Sequence, residues 1–500
     1  MNRPFLRAAI VAMCVSGCGA KTGLRVDGGV DAEDVRDVVA PDVPRPTYLG
    51  TEFWAVSTSN TFLRLADRFN FAVALGNPSM SPVNITITGG RGPMLQFSLP
   101  ARSTVTRTLP WVQALVQRTD DTGACGPVQA DRRRPPLSAL VQDGAYRIQS
   151  SAPINAYQFN PLEYVANDVC MSHSYTNDAS LLLPTEALTA NYLVVGHGGF
   201  NGGGAFVAIV GTQATPTTVA VTLTATVTAG SMVAGGGPGT TQMFTLRRGE
   251  VVQLVTPSGG RAEDPTGSVI RASAPVAVFT GVDCTTMSWP DGSQYACDHI
   301  EEQLFPEETW GREVIVTQLQ DRGPDERSII RIASRVASNQ LTFEPPGAHA
   351  PVTLQRGQIV DFESGGDFIV RGTGPILVAQ FMEGQQTTPG ASVGDPAMVF
   401  EVPSAQFRRD YSFVVPYTYT SSFVNITARA GAAIFLDERA LSGSPSAIAG
   451  TPWVVWRLPI NAGSHLLRTE SDAGIGLKVL GVASFTSYAY PGGLDLARMP

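Results

Sequence analysis

The stretch CDHIEEQLFPEETW, residues 297–310, places a cysteine, an aspartate, a histidine and four glutamates in fourteen positions. Such residue types ligate metals or move protons. Asp298, His299, Glu301 and Glu302 are near neighbours, but successive side chains of an extended segment leave opposite faces, so at most two or three converge. Zinc would need further nitrogen or sulfur ligands from elsewhere, and the chain has only five histidines. Asp298 and Glu301, helped by carbonyl oxygens, form a candidate structural calcium site, although no DxDxDG-type loop is present. Acid/base work by Asp298, His299 and Glu301 would make the chain a hydrolase, yet no HExxH occurs and no Ser/His/Asp order supports one. The structural reading treats the stretch as a bracket: Cys297 closes a loop on Cys284, Pro306 and Trp310 seat the next module, and the acids face water.

The elements that would position these residues read as β-strands. One segment recurs as GAYRIQSSAPINAYQF (144–159), GSVIRASAPVAVFTG (267–281) and GDFIVRGTGPILVAQF (366–381). Each copy is a strand, a short turn, a proline and a second strand; Pro153, Pro275 and Pro375 lie 122 and 100 residues apart. A period of about 100 is one domain, too long for a solenoid repeat. Upstream of each copy stand hairpin-like pairs beginning at Phe71, Phe206 and Ile329, with a fourth at Phe423. HLLRTESDAGIGLKVLGVASF (465–485) repeats the strand pair without the proline. The expected fold is all-β, with about four tandem antiparallel β-sandwich-like modules at 47–165, 166–285, 286–390 and 391–500. A closed propeller is the alternative, but its blades are normally much shorter.

In that frame the acidic stretch joins the second module to the third. NDASLLLPTEALTANYLVV (177–195) and GDPAMVFEVPSAQFRRDYSFVV (394–415) are its relatives by position. Asp298 and Asp395 each precede a proline by eight residues, and Asp178 precedes Pro184 by six. Only the 298 copy carries a histidine and glutamates, so a shared connector role fits better than a shared metal site.

Composition bounds the rest. The 500 residues are 43% apolar and 16% charged, with 51 Gly and 36 Pro, which favours turns and strands over charged helices. Net charge is −8, and the lysines are Lys21 and Lys478 alone, so no nucleic-acid surface is expected. The first residues combine Arg3 and Arg7 with an apolar run, a secretory signal over 1–17. Val15-Ser16-Gly17-Cys18 resembles a bacterial lipobox, which makes Cys18 the lipidated first residue of the mature chain, anchored in the outer membrane. Residues 18–46 then form a polar, Pro- and Gly-containing tether of about 30 Å reach. Cys125, Cys170, Cys284 and Cys297 remain, and nearest-neighbour pairing gives the expected disulfides Cys125 to Cys170 and Cys284 to Cys297. The glycine-rich run 196–206 lacks a Gly-Lys-Ser/Thr ending and reads as a loop before a strand, and Arg132, Arg133 and Arg134 read as a solvated loop.

At GTEFWAVSTSN (50–60), NDASLLLPTEAL (177–188) and CDHIEEQLFPEETWG (297–311) the chain resembles the IgGFc-binding protein N-terminal domain family. That resemblance implies an extracellular binding or adhesion module with no catalytic residues to transfer. The expected protein is a cell-surface lipoprotein, not an enzyme and without a cofactor beyond the candidate calcium, that binds a protein or glycan partner. The alternatives are a self-associating envelope protein and an anchored hydrolase.

Overall fold

Among the described residues, alternation of β-branched or aromatic residues with small or polar ones builds antiparallel strands almost throughout, beside one four-residue α-helix, Gln113–Val116. The computed structural model describes residues 46–60, 69–117, 136–165, 173–199, 203–258, 260–288 and 297–499. The leader, Cys18, nearly all of the tether, Cys125, Cys170 and Arg132 to Arg134 lie outside the described residues.

The recurring proline marks a corner between two layers. In the first module the strand Tyr146–Phe159 runs through Pro153; before the corner it pairs with Val83–Gly89, and beyond it with Phe71–Asn77 and Ala179–Leu181. Phe368–Met382 does the same in the third module, pairing first with Asn339–Glu344 and then with Ser328–Ser334 and Ala397–Phe400. In the second module the strand is cut at the corner, so that Val269–Ala272 and Val276–Thr285 enter different sheets. Gly463–Thr469 and Gly476–Ala483 are divided likewise in the fourth. The modules are therefore sandwich-like, as the sequence pattern implies.

The expected hairpins are corrected in one respect. Phe71–Asn77 and Val83–Gly89 are both strands, but they pair with different halves of the long strand and not with each other. Ala205–Gly211 and Thr217–Thr222 part in the same way, as do Ser328–Ser334 and Asn339–Glu344. The physical reason shows in their burial. The first member of each pair is buried at every position and lies in a layer covered on both faces, whereas the second alternates toward solvent. Stacking one on the other removes more apolar surface from water than a flat hairpin would.

The connectors pair backward. Ala179–Leu181, Asp298–Gln303, Ala397–Phe400 and Thr486–Pro491 each form the edge strand of the inner sheet that precedes them. These four hub strands touch one another in cyclic order, first to second, second to third, third to fourth and fourth to first. The ring is closed where the chain enters and leaves it: Tyr48 N–H donates to the Leu494 carbonyl at 2.9 Å and Leu496 N–H to the Pro46 carbonyl at 2.7 Å. Cyclic closure is a propeller-like trait, here combined with two-layered modules.

A buried cation clasps the second module to the third. Arg331, on Ser328–Ser334, donates to both oxygens of Asp361 at 2.8 and 2.7 Å. It also reaches across to Asp264 at 2.5 Å, the Gly196 carbonyl at 2.6 Å and Thr266 at 3.0 Å. Its side chain is 1% exposed, so removing it strands two carboxylates away from water. Arg331→Met is expected to destabilise the protein by about 3–5 kcal/mol in chemical denaturation; a loss below about 1 kcal/mol would contradict the clasp.

Candidate functional site

The acidic stretch is one of the hub strands, and its acids do not face water. Asp298, His299, Glu301 and Glu302 are each 0% exposed. The expectation of solvated acids fails because a run of polar residues with a single apolar member reads as solvent-facing, whereas here both faces of the strand are covered by other hub strands and by the first module. The bracket role stands beside this: Cys284 and Cys297 are joined by a disulfide, and Trp310 is buried with its indole N–H donating to the Phe305 carbonyl at 3.1 Å. Glycine serves close packing in the same place. A Cβ on Gly203 would sit 2.7 Å from the Cys284 nitrogen, and one on Gly204 2.1 Å from the Thr256 carbonyl, so this part of the glycine-rich run is packed backbone.

Asp298 and Glu301 lie three residues apart on the strand and are directed to opposite faces. Asp298 accepts from Thr486 Oγ1 at 3.0 Å and from the His299 N–H at 2.8 Å. Glu301 accepts from Thr58 Oγ1 at 2.6 Å and Gln158 Nε2 at 2.9 Å, on the side of the first module. The two carboxylates are thus not brought into one coordination sphere, and no group of three or more His, Cys, Asp or Glu side chains among the described residues is arranged to hold a metal ion. His299 stacks on Phe206, with ring centroids 5.7 Å apart, and its Nε2 lies 3.5 Å from Glu301 Oε2. These groups have the chemistry of an acid/base set, but each is enclosed by the core.

The three aspartates aligned in the sequence do converge. Asp178 lies at the centre: Oδ1 accepts the N–H of Ala179 at 2.9 Å and of Ala489 at 3.3 Å, and Oδ2 that of Glu301 at 3.0 Å and of Met398 at 3.3 Å. One carboxylate thereby takes a backbone donor from every hub strand. Burial pushes its pKa well above the usual carboxylate value, opposed by the N–H bonds from Glu301, Ala179 and Ala489. Burial likewise raises Asp298, with further repulsion from Asp395 and Asp178. Asp395 accepts from the Gln385 N–H at 3.0 Å, and burial pushes it up to about 7 against the pull of that bond and of Arg322. Glu302 accepts from Ser180 Oγ at 2.9 Å and is raised by burial as well.

Beside the hub the chain turns outward into aromatic residues that the sequence reading did not single out. Tyr175 and Phe485 both hold positive φ, 51° and 55°, a region bulky side chains rarely occupy. Tyr175 stands three residues before Asp178, and Phe485 immediately before Thr486, so the hub hydrogen bonds fix both. The two rings meet edge to face at 6.3 Å. His173 stacks on Tyr175 at 5.2 Å and meets Tyr164 at 4.9 Å. Thr418 ties a neighbouring loop to the Leu162 carbonyl at 2.9 Å; Tyr417 on that loop is 68% exposed, and Tyr175 is 43% exposed. Positive φ at a non-glycine residue leaves no mark in the sequence, although the local run of Tyr, His and Phe was readable.

A family model described as IgGFc binding protein matches residues 178–481, more than half the chain, starting at Asp178 and spanning three of the hub strands. The chain thus joins a modular all-β scaffold to a family of binding proteins. It belongs to the IgGFc-binding protein family. The human protein named IgGFc-binding protein is 24% identical over 317 residues, 63% of this chain and 6% of its own length, so the chain spans only a small part of that relative. Among solved structures, a point mutant of the major pilin from Streptococcus pyogenes aligns over 57% of this chain and 98% of its own at 9% identity and a TM-score of 0.14. A tetra-tandem repeat from the extending region of a large adhesion protein aligns over 86% and 97% at 10% identity and a TM-score of 0.09. Scores this low carry no argument about fold or function.

Two outcomes follow for the hub. Asp178→Ala leaves backbone N–H groups of four strands without their acceptor at about 1–3 kcal/mol each, so denaturation should show a loss of about 3 kcal/mol or more. Asp395 has a folded pKa above its unfolded one, so its stabilising contribution is complete below the unfolded value and is lost as pH rises through about 7. Asp395→Asn should therefore gain stability relative to wild type as pH rises from 4 to 7, by at most about 1.4 kcal/mol per pH unit, and level off above that. Parallel stability curves for the two proteins would contradict this.

Proposed function

We propose that the protein is an exported, lipid-anchored binding protein of the bacterial cell surface that engages a protein or glycan partner without catalysis. Membership of a family of binding proteins is the observation that carries the reading. The lipobox-like run ending at Cys18 and the tether behind it support anchoring at the outer membrane, with the modules held away from the lipid. The enclosure of Asp298, His299 and Glu301 supports the non-catalytic reading, because a substrate would have to part the hub to reach them. Exposed aromatic residues offer contacts: Tyr175, stacked on His173, and Tyr417 are both exposed, and such residues are enriched among binding hot spots.

The test is a panel of immobilised glycans and extracellular proteins, with the Fc fragment of immunoglobulin G included, probed with the full chain. Saturable binding to at least one member is expected. The double variant Tyr175→Ala, Tyr417→Ala should weaken it about tenfold or more while leaving the melting temperature in place. Absence of saturable binding to every member, across salt concentrations, would count against the proposal.

A further inference from the structure

Lys478 is the single lysine beyond Lys21 in a chain that otherwise uses arginine, and it is buried. It lies on Gly476–Ala483 in the inner sheet of the fourth module. Its Nζ is 2.8 Å from Gln380 Oε1, 2.6 Å from Glu401 Oε1 and 2.7 Å from the Thr317 carbonyl. Gln380 belongs to the long strand of the third module, and Glu401 follows the third hub strand. An amine, a carboxamide and a carboxyl group thus meet at the seam between two modules, closed to water, with Gln380 1% and Glu401 3% exposed.

The first module holds the unreactive version of the same position. Gly50 pairs with Ile154 as Gly311 pairs with Ile376, so Val56 with Gln158 corresponds to Thr317 with Gln380. Gln158 has both ends of its amide bound by one backbone residue: Oε1 accepts from the Val56 N–H at 3.0 Å, and Nε2 donates to the Val56 carbonyl at 3.1 Å. Gln380 keeps the second bond, Nε2 to the Thr317 carbonyl at 3.2 Å, but its Oε1 is turned to Lys478. The amide carbon is one bond from that oxygen and within reach of Nζ. Burial lowers the lysine pKa against the attraction of Glu401, and burial raises that of Glu401 against the attraction of Lys478, so each shift is toward the uncharged form.

We propose that Lys478 and Gln380 join in an intramolecular isopeptide bond, with Glu401 as the proton carrier, so that the third and fourth modules become covalently linked. The amine lone pair attacks Gln380 Cδ while the Glu401 acid protonates Oε1. Glu401 then takes a proton from Nζ and delivers it to the departing nitrogen; the Cδ–Nε2 bond breaks, ammonia leaves, and the Oε1 proton returns to Glu401 as the carbonyl re-forms. One amide is exchanged for another and no oxidant or further reactant is consumed. A preorganised neighbour raises the effective concentration of the amine enough for so slow a step to proceed during the life of the protein.

Arginine-specific digestion of the full chain followed by mass spectrometry tests this. The fragments 372–408 and 469–498, which hold Gln380 and Lys478, should be recovered as one linked species lighter than their sum by one ammonia. Lys478→Arg keeps the charge and should return the two fragments separately. Glu401→Gln should do the same, with an unchanged β-sheet circular dichroism spectrum showing that the fold is retained. Wild-type fragments recovered separately at full mass would overturn the proposal and leave Lys478 as a buried ion pair with Glu401. A linked species lacking one water, which would place the bond on Glu401 itself, would overturn the assignment to Gln380.

Discussion

The Asp178 carboxylate solves a problem that the architecture creates. Each inner sheet ends in an edge strand, and an edge strand carries unpaired backbone groups that must find partners when buried. Four such edges meet at the hub. A carboxyl group offers lone pairs on both oxygens, and Asp178 uses them for the N–H groups of Ala179, Glu301, Met398 and Ala489. An asparagine would present an amide N–H2 to two of those donors. The identity of this residue therefore follows from the cyclic meeting of four sheets, without appeal to any chemistry performed on a substrate.

The surrounding polar groups continue the same function. Ser180 accepts from the Gln303 N–H at 2.7 Å while donating to Glu302, and Gln158 links Val56 to Glu301. A buried network with each pair directed in this way specifies one arrangement of strands, since a shift by one residue would turn every polar group into apolar packing. The Arg331 clasp and the Lys478 cluster act at the seams on either side of the third module, outside the hub. Closure at Tyr48 and Leu494 then makes the ring continuous, and the hub fixes Thr486 and Asp178, next to which Phe485 and Tyr175 are held in their unusual backbone conformation. The exposed aromatic residues and the core are in this way parts of one structure.

Much of this was legible in the sequence. The recurring strand, proline and strand gave the module count, and Pro153 and Pro375 prove to be the corners where one strand passes between layers. The three connectors were recognisable as relatives by position, and the offset of Asp178 from the register of Asp298 and Asp395 was visible in its distance to Pro184. What the pattern concealed was environment. DHIEEQ alternates no apolar residue that would mark a core face, so its burial depends on three other strands more than 90 residues away. Pairing within the expected hairpins was also concealed, because Phe71 and Val83 begin equally good strands whether they lie side by side or in different layers. The strain at the aromatic residues left no signal, although the residues themselves were readable, since propensity follows composition and not the φ that tertiary packing imposes.

If one carboxylate holds four sheets together, the hub should open as a unit. Native-state amide hydrogen exchange of the unaltered protein tests this at Ala179, Glu301, Met398 and Ala489, one amide from each hub strand. The account predicts that all four exchange only on global unfolding, with the same opening free energy. Exchange at any one of them about a hundredfold faster than at the others, while the rest stay protected, would show that its strand opens alone and would contradict the shared anchor at Asp178.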